Sequence, residues 1–313
     1  MKKMINTTHI EGLVYDHKLE KKVSGDTSKN PGTEFINGIL NVATDDKGMN
    51  VVPVHFSYVT ATTSKGGTNN TYNALARIID ENPSVVKVGR DNAMKVRIDS
   101  AVGLNEFFAD LKDEKPVCAK RNEGGFVHIV NEIDEDEKKR SYFETDMLIT
   151  GVRDVEADPE RNLPAKVVVM GYAFDFRNAL LPVEYSVLNE NGMKYFQKLD
   201  CSPANPTFTK VWGRQISQTI KTEITEESAF GEASVRIRET TNRDFVITGT
   251  SKVPYMWDDD STITAMEMKK ALQDREIYLA GVKKRQEDYQ NSKTNGAAAK
   301  TAMANTAASG YNF

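Results

Sequence analysis

The sequence predicts a mainly β protein made of two successive small Greek-key barrels, followed by a C-terminal helix and a flexible tail. Three observations carry this. Short runs alternating between apolar and polar residues, separated by turn residues, recur up to about residue 250. A single helical period interrupts them around residues 68–80. Past residue 257 the alternation gives way to a long helical pattern, and then to a stretch of Ala, Ser, Thr and Asn. The 313 residues exceed the roughly 100–200 usual for one domain. The predicted division is a first barrel over 1–140, a second over 141–256, the helix over 257–290 and the tail over 291–313. With 39% hydrophobic and 27% charged residues, the chain has the composition of a folded globular protein.

Residues 9–23 (HIEGLVYDHKLEKKV) set Ile10, Gly12 and Val14 on one side of a two-residue period before turning basic. Pro31-Gly32 turns the polar loop that follows, proline presetting φ and glycine accepting a positive one. A hairpin spans residues 35–56, turned by Asp45-Asp46-Lys47-Gly48. Its Ile36, Gly38, Leu40 and Val42 suit a barrel interior, while Phe35, Asn37, Ile39 and Asn41 take the other face, with His55 and Tyr58 nearby. Tyr72, Leu75, Ala76 and Ile79 stand three and four apart, as on one face of a short helix, and Pro83 stops it. Strand character returns over 94–108 and 125–133. Three strands, a helix and two strands is the order of an OB-fold, a five-stranded Greek-key barrel. A three-stranded meander with unrelated additions gives the same early pattern.

The acidic run 134–140 (DEDEKKR) reads as a solvated connector. A second set of strands follows at 142–155, 166–176, 183–188, 193–199, 208–216 and the pair 233–239 with 245–249. Turns at Asn189-Glu190-Asn191-Gly192 and Ser202-Pro203 divide it, and the order recurs without its helix. Thr264-Ala265-Met266-Glu267 is a capping box. The helix after it runs to about residue 289, with Met268, Leu272, Leu279 and Val282 along one side and Lys283/Glu287 and Lys284/Asp288 as i,i+4 pairs. Residues 291–310 lack the apolar bulk to offset ordering entropy and read as a tether, an alanine-rich helix being the competing reading. Tyr311-Asn312-Phe313 ends the chain as an aromatic tip.

Enzymatic signals are thin. His9, His17, His55 and His128 show no HxxxH or HExxH spacing, and neither GxSxG nor GxxxxGK[ST] occurs. The run Asp258 to Asp260 has the chemistry to ligate Mg²⁺, but the dipole of the following helix accounts for it equally. Cys118 and Cys201 lie far apart and read as small buried side chains rather than a disulfide or a metal site. No catalytic residue, metal or cofactor is expected. No apolar run reaches the roughly 18–20 residues that cross a bilayer, and MKKMINTTHIEG lacks the apolar core of a signal peptide. The cytoplasm is therefore the expected compartment, with no membrane partner.

Binding signals are stronger. The net charge of −4 excludes a uniformly basic surface yet allows a basic groove on an acidic body. Tyr172, Phe174 and Phe176 alternate on one face of residues 166–177 with Arg177 just beyond, rings that either stack on bases or lie under covering protein. Lys194 with Tyr195, and Lys210, Trp212 and Arg214, mix aromatic and basic residues in the same way, a core role for Trp212 remaining open. Lys21, Lys22 and Lys29 cluster, with Lys18, on the end of the first strand and the loop after it, a position that OB-folds use against oligonucleotides. Asn37, Asn41, His55 and Tyr58 would look onto the same groove.

The segments HIEGLVYDHKLE, KNPGTEFINGILNVATD and NVVPVHFSYVT, the second OB-like set and the tether with its aromatic tip together resemble the single-stranded DNA-binding proteins of bacteriophages. The resemblance implies a protein that coats and protects single-stranded DNA with little sequence preference during replication or recombination. It also implies recruitment of replication or recombination proteins, or of further copies, through the C-terminal helix and tail, with Tyr311 and Phe313 at the point of contact. One departure is plain: SGYNF has no carboxylate side chain and the tether carries Lys293 and Lys300, so the acidic tail of that family is missing here. A phage virion or assembly component is the rival reading, and an accessory to a nuclease or ligase is a third. A phage-encoded protein of this kind would work in the host cytoplasm.

Overall fold

The computed structural model describes residues 3–26, 28–161, 163–226, 230, 234–257 and 263–308, without the side chains of 220–226, 234, 238–240 and 292–308. Strands hold 47% of the chain and helices 22%, so the fold is mainly β. In chain order the elements are β1 (Asn6–His17), β2 (Glu20–Val23), β3 (Glu34–Ala43), β4 (Val51–Thr60), α1 (Asn70–Glu81), α2 (Val85–Val88), β5 (Lys95–Phe107) and β6 (Val117–Ile129). There follow β7 (Ser141–Val155), β8 (Lys166–Phe174), β9 (Leu180–Val187), α3 (Glu190–Gln197), β10 (Thr207–Glu226), β11 (Ser234–Thr250) and α4 (Ala265–Ala308).

All eleven strands belong to one sheet, ordered β10-β11-β9-β8-β7-β1-β5-β6-β4-β3-β2. Two further pairings, β1–β3 and β10–β7, close the ladder on itself twice. The first circuit runs β1-β3-β4-β6-β5 and returns to β1; the second runs β7-β8-β9-β11-β10 and returns to β7. In each, the third and fifth strands of the circuit pair in parallel, β4 with β6 and β9 with β11, and every other pairing is antiparallel. The circuits join where residues 6–10 of β1 pair with residues 141–145 of β7.

Alternation fills each interior. Ile36, Leu40 and Val42 of β3 are buried with Val52, Val54 and Phe56 of β4 and with Ile10, Val14, Val96 and Ile98. Helix α1 adds Ala74, Leu75 and Ile78 to that cluster, with Tyr72, Ala76 and Ile79 at its margin. Asn69 caps the helix by accepting from the Thr71 N–H at 3.1 Å, and Asn82 ends it at a φ of 43°. The second interior gathers Phe143, Met147, Val167, Val169, Tyr185, Val211 and Phe245.

The second circuit contains the helix that alternation hid. Of residues 193–199, expected as a strand, 193–197 form most of α3. The Asn189–Gly192 turn signal is instead its start, the Asn189 side chain accepting from the Gly192 N–H at 2.6 Å, and Phe196 anchors it in the second interior. A helix therefore follows the third strand of both circuits. Two expected strands near the end are one, β11, paired along its length with a β10 longer than alternation indicated. The acidic 134–140 segment is more than a solvated connector. Its Arg140 is 4% exposed and reaches Asp46 at 2.6 Å, holding that carboxyl below the usual carboxylate range.

Closing each circuit forces backbones together. At the β3 bulge Gly38 has φ 127°, and a Cβ there would lie 2.0 Å from the Lys18 carbonyl oxygen. Helix α4 then straps the two circuits together. Thr264 and Glu267 form the expected capping box, with the Thr264 N–H donating to Glu267 Oε2 at 3.0 Å and the Glu267 N–H to Thr264 Oγ1 at 3.2 Å. Ile263 and Ala271 pack on Met4, Leu148, Phe174, Leu180 and Phe208. Leu272, expected on the buried stripe, is 39% exposed, and Arg275 points inward in the next turn. Arg275 donates to Glu106 of β5 at 2.5 Å and to the Leu180 carbonyl of β9 at 2.9 Å, so one guanidinium holds both circuits. Farther along, the Gln286 amide brackets the Phe108 backbone, accepting its N–H at 2.8 Å and donating to its carbonyl at 3.1 Å. Lys283 donates to the Asp113 carbonyl at 3.2 Å rather than pairing with Glu287. The helix continues to Ala308, through most of the segment expected as a tether, because alanine costs least in a helix.

Two outcomes follow from these constraints. Arg275→Ala leaves Glu106, only 3% exposed, buried without its cation, and should lower stability by about 3–5 kcal/mol in urea unfolding. The double variant Arg275→Met, Glu106→Leu should recover most of that loss. Gly38→Ala should cost about 1–3 kcal/mol by the same measurement, whereas Gly25→Ala, with nothing within 4 Å of the added methyl, should change it by less than about 0.5 kcal/mol.

Candidate nucleic-acid interface

The join between the circuits sets β10, β7, β1, β5 and β6 side by side, and register turns their outward residues into rows. One row crosses all five strands: Arg214 lies opposite Tyr142, Tyr142 opposite His9, His9 opposite Asp99 and Asp99 opposite Phe126. Four strand spacings make this roughly 19 Å long. A second row places Trp212 opposite Glu144, and a third sets Arg97 between Glu11 and His128. The rings are open to solvent: Phe126 is 70% exposed, Tyr142 39% and Trp212 38%.

At one end the surface dips into a groove of about 360 Å³ lined by Lys138, Lys139, Tyr142, Glu144, Trp212 and Arg214. The indole of Trp212 lies against Gly249, where a Cβ would come within 2.5 Å of it, so glycine is what lets the ring lie flat. His9 stacks on Tyr142 with centroids 5.0 Å apart and faces Asp99 at 3.0 Å and Glu11 at 3.4 Å. Burial, followed by the charges of Glu144, Asp99 and Glu11, raises the Tyr142 phenol pKa, so the ring stays neutral. Charge along the face is mixed: Lys210 pairs with Glu144 at 2.9 Å, while Arg214 and Lys138 have no ion-pair partner among the described residues. Flat rings with a few free cations suit a polyanion whose bases offer π-faces.

The structure gathers some expected residues and disperses others. Lys210, Trp212 and Arg214 share this face. Tyr172 lines a separate groove of about 640 Å³ beside Lys115, Cys118, Lys120 and Pro182. Phe174, expected as a platform beside it, has no exposed surface and packs on Phe208 beneath α4, because a strand residue that faces a docked helix is core. Arg177 lies on the β8–β9 turn with its guanidinium 4.9 Å above the Phe176 ring, itself 74% exposed. Lys194 and Tyr195 are on α3, not on a strand beside Trp212; Lys194 pairs with Glu190 at 2.5 Å and Tyr195 packs edge-on against Phe196.

In the first circuit Lys21 and Lys22 stand on a separate short strand, β2, rather than on the end of β1, and both are paired, with Asp80 at 2.7 Å and Glu20 at 2.8 Å. Lys29 is exposed. Asn37 is half-buried, and Asn41 is engaged by Asp16, donating to its carboxylate at 2.5 Å. Tyr58 packs tilted against Phe35 with centroids 4.5 Å apart, and its hydroxyl meets that of Ser24 at 3.1 Å. His55 is half-buried, and its pKa is lowered by burial and by the nearby Arg121 and Arg243. Tyr311 and Phe313, and the Asp258 to Asp260 run, lie outside the described residues. Tyr142, His9 and Phe126 were missed by sequence reasoning. Each alternates correctly within its own strand, but only the β1–β7, β1–β5 and β5–β6 registers align them.

No curated protein matches the chain by sequence. Among solved structures it is similar to a deletion mutant of the single-stranded DNA binding protein from Thermus aquaticus, at 9% identity and a TM-score of 0.44 over 83% of this chain and 100% of that one. Residues 4–291 match the family model described as YorF, and the chain belongs to the YorF family.

Proposed function

We propose that the protein binds single-stranded DNA without catalysis and with little sequence preference, coating and protecting it during phage DNA replication or recombination. The observation that carries this is the row of exposed rings and cations from Arg214 to Phe126 across five strands. Such a surface would be costly to leave in water, and it offers stacking to any base and charge to any phosphate. The strand order supports the same reading. Each circuit runs first, second, third, fifth, fourth and back to first, with a helix after the third strand, which is the layout of an OB-fold. We accordingly assign residues 1–140 and 141–256 to two OB-like barrels, with α4 and the tail available for self-association or for replication and recombination partners. Phage context rests on the resemblance of the N-terminal segments.

A non-enzymatic role fits the most conspicuous thiol: burial, helped by Glu106, pushes Cys118 up to about 11, which leaves it protonated and unreactive. Among the described residues no helix is long and apolar enough to cross a membrane. We take the cytoplasm as the site of action. A virion or assembly subunit is the second reading, favoured by Val235 and Ile237, 62% and 59% exposed on β11.

Fluorescence anisotropy with a labelled oligo(dT) and with a duplex of equal length separates the two readings. Strong single-strand and weak duplex binding supports the first; no oligonucleotide binding, together with concentration-dependent assembly in sedimentation, supports the second. The single-strand affinity should fall with salt at a log–log slope of about −0.7 per phosphate neutralised. Tyr142→Ala and Phe126→Ala should each weaken binding by roughly 1–3 kcal/mol while leaving Tm nearly unchanged. Trp212 and Trp257 are the only tryptophans, so oligo(dT) should quench the intrinsic fluorescence and Trp212→Phe should remove most of that quench.

A further inference from the structure

Away from the Trp212 groove, one cationic cluster lacks matching counter-charge. His55 of β4 lies in parallel register with Glu123 of β6. Arg121, two residues earlier on β6, donates to the Glu123 carboxylate at 2.8 Å. Arg243 comes from β11, opposite Ser217 of β10, whose N–H donates to Asn50 Oδ1 at the β3–β4 turn at 2.6 Å. Glu123, 37% exposed and within 3.4 Å of the Ser57 hydroxyl, is paired with Arg121, and β11 reaches β6 beside it: Phe245, two residues after Arg243, lies 5.5 Å from the Lys120 ammonium, and its cross-strand neighbour Gln215 accepts from Asn122 at 2.7 Å. Arg243 has no ion-pair partner among the described residues. The Nε of Arg121 is buried without a hydrogen-bond partner. A buried guanidinium N–H left unmade is costly, and a planar fork of such donors matches the oxygens of a tetrahedral anion.

We propose that His55, Arg121 and Arg243 form an anion site for a phosphate group at the seam of β4, β6 and β11, and that His55 takes up a proton when the site fills. Burial and the two arginines favour neutral imidazole, and the charge of Glu123 opposes them. A bound anion offsets both arginines and adds an acceptor for the imidazolium. The sign of the linkage follows. The occupied protein binds more protons than the empty one across the ordinary histidine range, so affinity rises as pH falls through it. The group is either a phosphodiester of a strand, which rests on the reading above, or a free anion, which does not.

Titrations of the full chain with oligo(dT) and, separately, with sulfate at pH 5.5 and 7.5 and constant ionic strength distinguish these, with the His55 ring followed by NMR and assigned through His55→Gln. Both ligands should raise the His55 pKa, and oligo(dT) should bind more tightly at pH 5.5, by roughly tenfold per unit of that rise. His55→Gln should abolish the pH gain. Arg243→Ala, an exposed change, should weaken binding severalfold at both pH values without altering Tm. A sulfate response with no oligonucleotide binding upholds the anion site and sinks the single-strand reading. Oligonucleotide binding whose pH dependence and strength are the same in wild type, His55→Gln and Arg243→Ala, with no movement of the His55 resonance by sulfate, overturns the site while the single-strand reading survives.

Discussion

The short antiparallel pairing between the start of β1 and the start of β7 is the constraint on which the rest depends. Each of these strands belongs to its own closed circuit, and each spends its first residues on the other. Without that ladder the outward faces of the two circuits would not be aligned. With it, β10, β7, β1, β5 and β6 share one outward face, and side chains far apart in sequence become cross-strand neighbours. The seam around it is polar and only partly satisfied: Asn122 donates to Gln215 Oε1 at 2.7 Å, Ser141 donates to the Gln215 carbonyl at 3.2 Å and Asn50 ties the β3–β4 turn to β10, while Asn122 Oδ1, Gln215 Nε2 and Thr8 Oγ1 are buried without a partner. Such a seam fixes orientation more than it adds stability, since hydrogen bonds to buried amides mostly replace those made to water.

Helix α4 acts on the same joint from the far side. Its single inward arginine reaches β5 of the first circuit and the first residue of β9 in the second. A buried ion pair of this kind contributes little net stability but penalises any arrangement that separates its partners. Pairing at the join and strapping by α4 therefore hold the face as one rigid surface. Preorganisation of this sort lowers the entropy lost when an extended ligand is laid across it.

The chemistry of that face is selective in its modesty. Several cations that composition offers for binding are already matched: Lys21 by Asp80, Lys22 by Glu20 and Lys210 by Glu144. Arg214, without an ion-pair partner among the described residues, sits beside Tyr142 and Trp212. In the proposed binding mode stacking would then outweigh bulk charge, in keeping with a chain of net charge −4.

Sequence by itself determined the local structure. Two-residue periodicity marked the strands and their inward faces, a 3.6-residue period and Pro83 marked α1, and the capping box marked the start of α4, because each depends on neighbours within a few residues. It went astray where a local signal is ambiguous: Asn189 to Gly192 reads as a turn but caps α3, and the alanine-rich segment reads as a tether but continues α4. Tertiary structure alone decided that Phe174 is core while Phe126 is surface, that Lys194 and Tyr195 stand on a helix, and that Tyr142 and His9 join Arg214 in one row. These are questions of register and of which face another element covers. Period-two alternation is blind to both, since it fixes which residues share a side but not what that side meets.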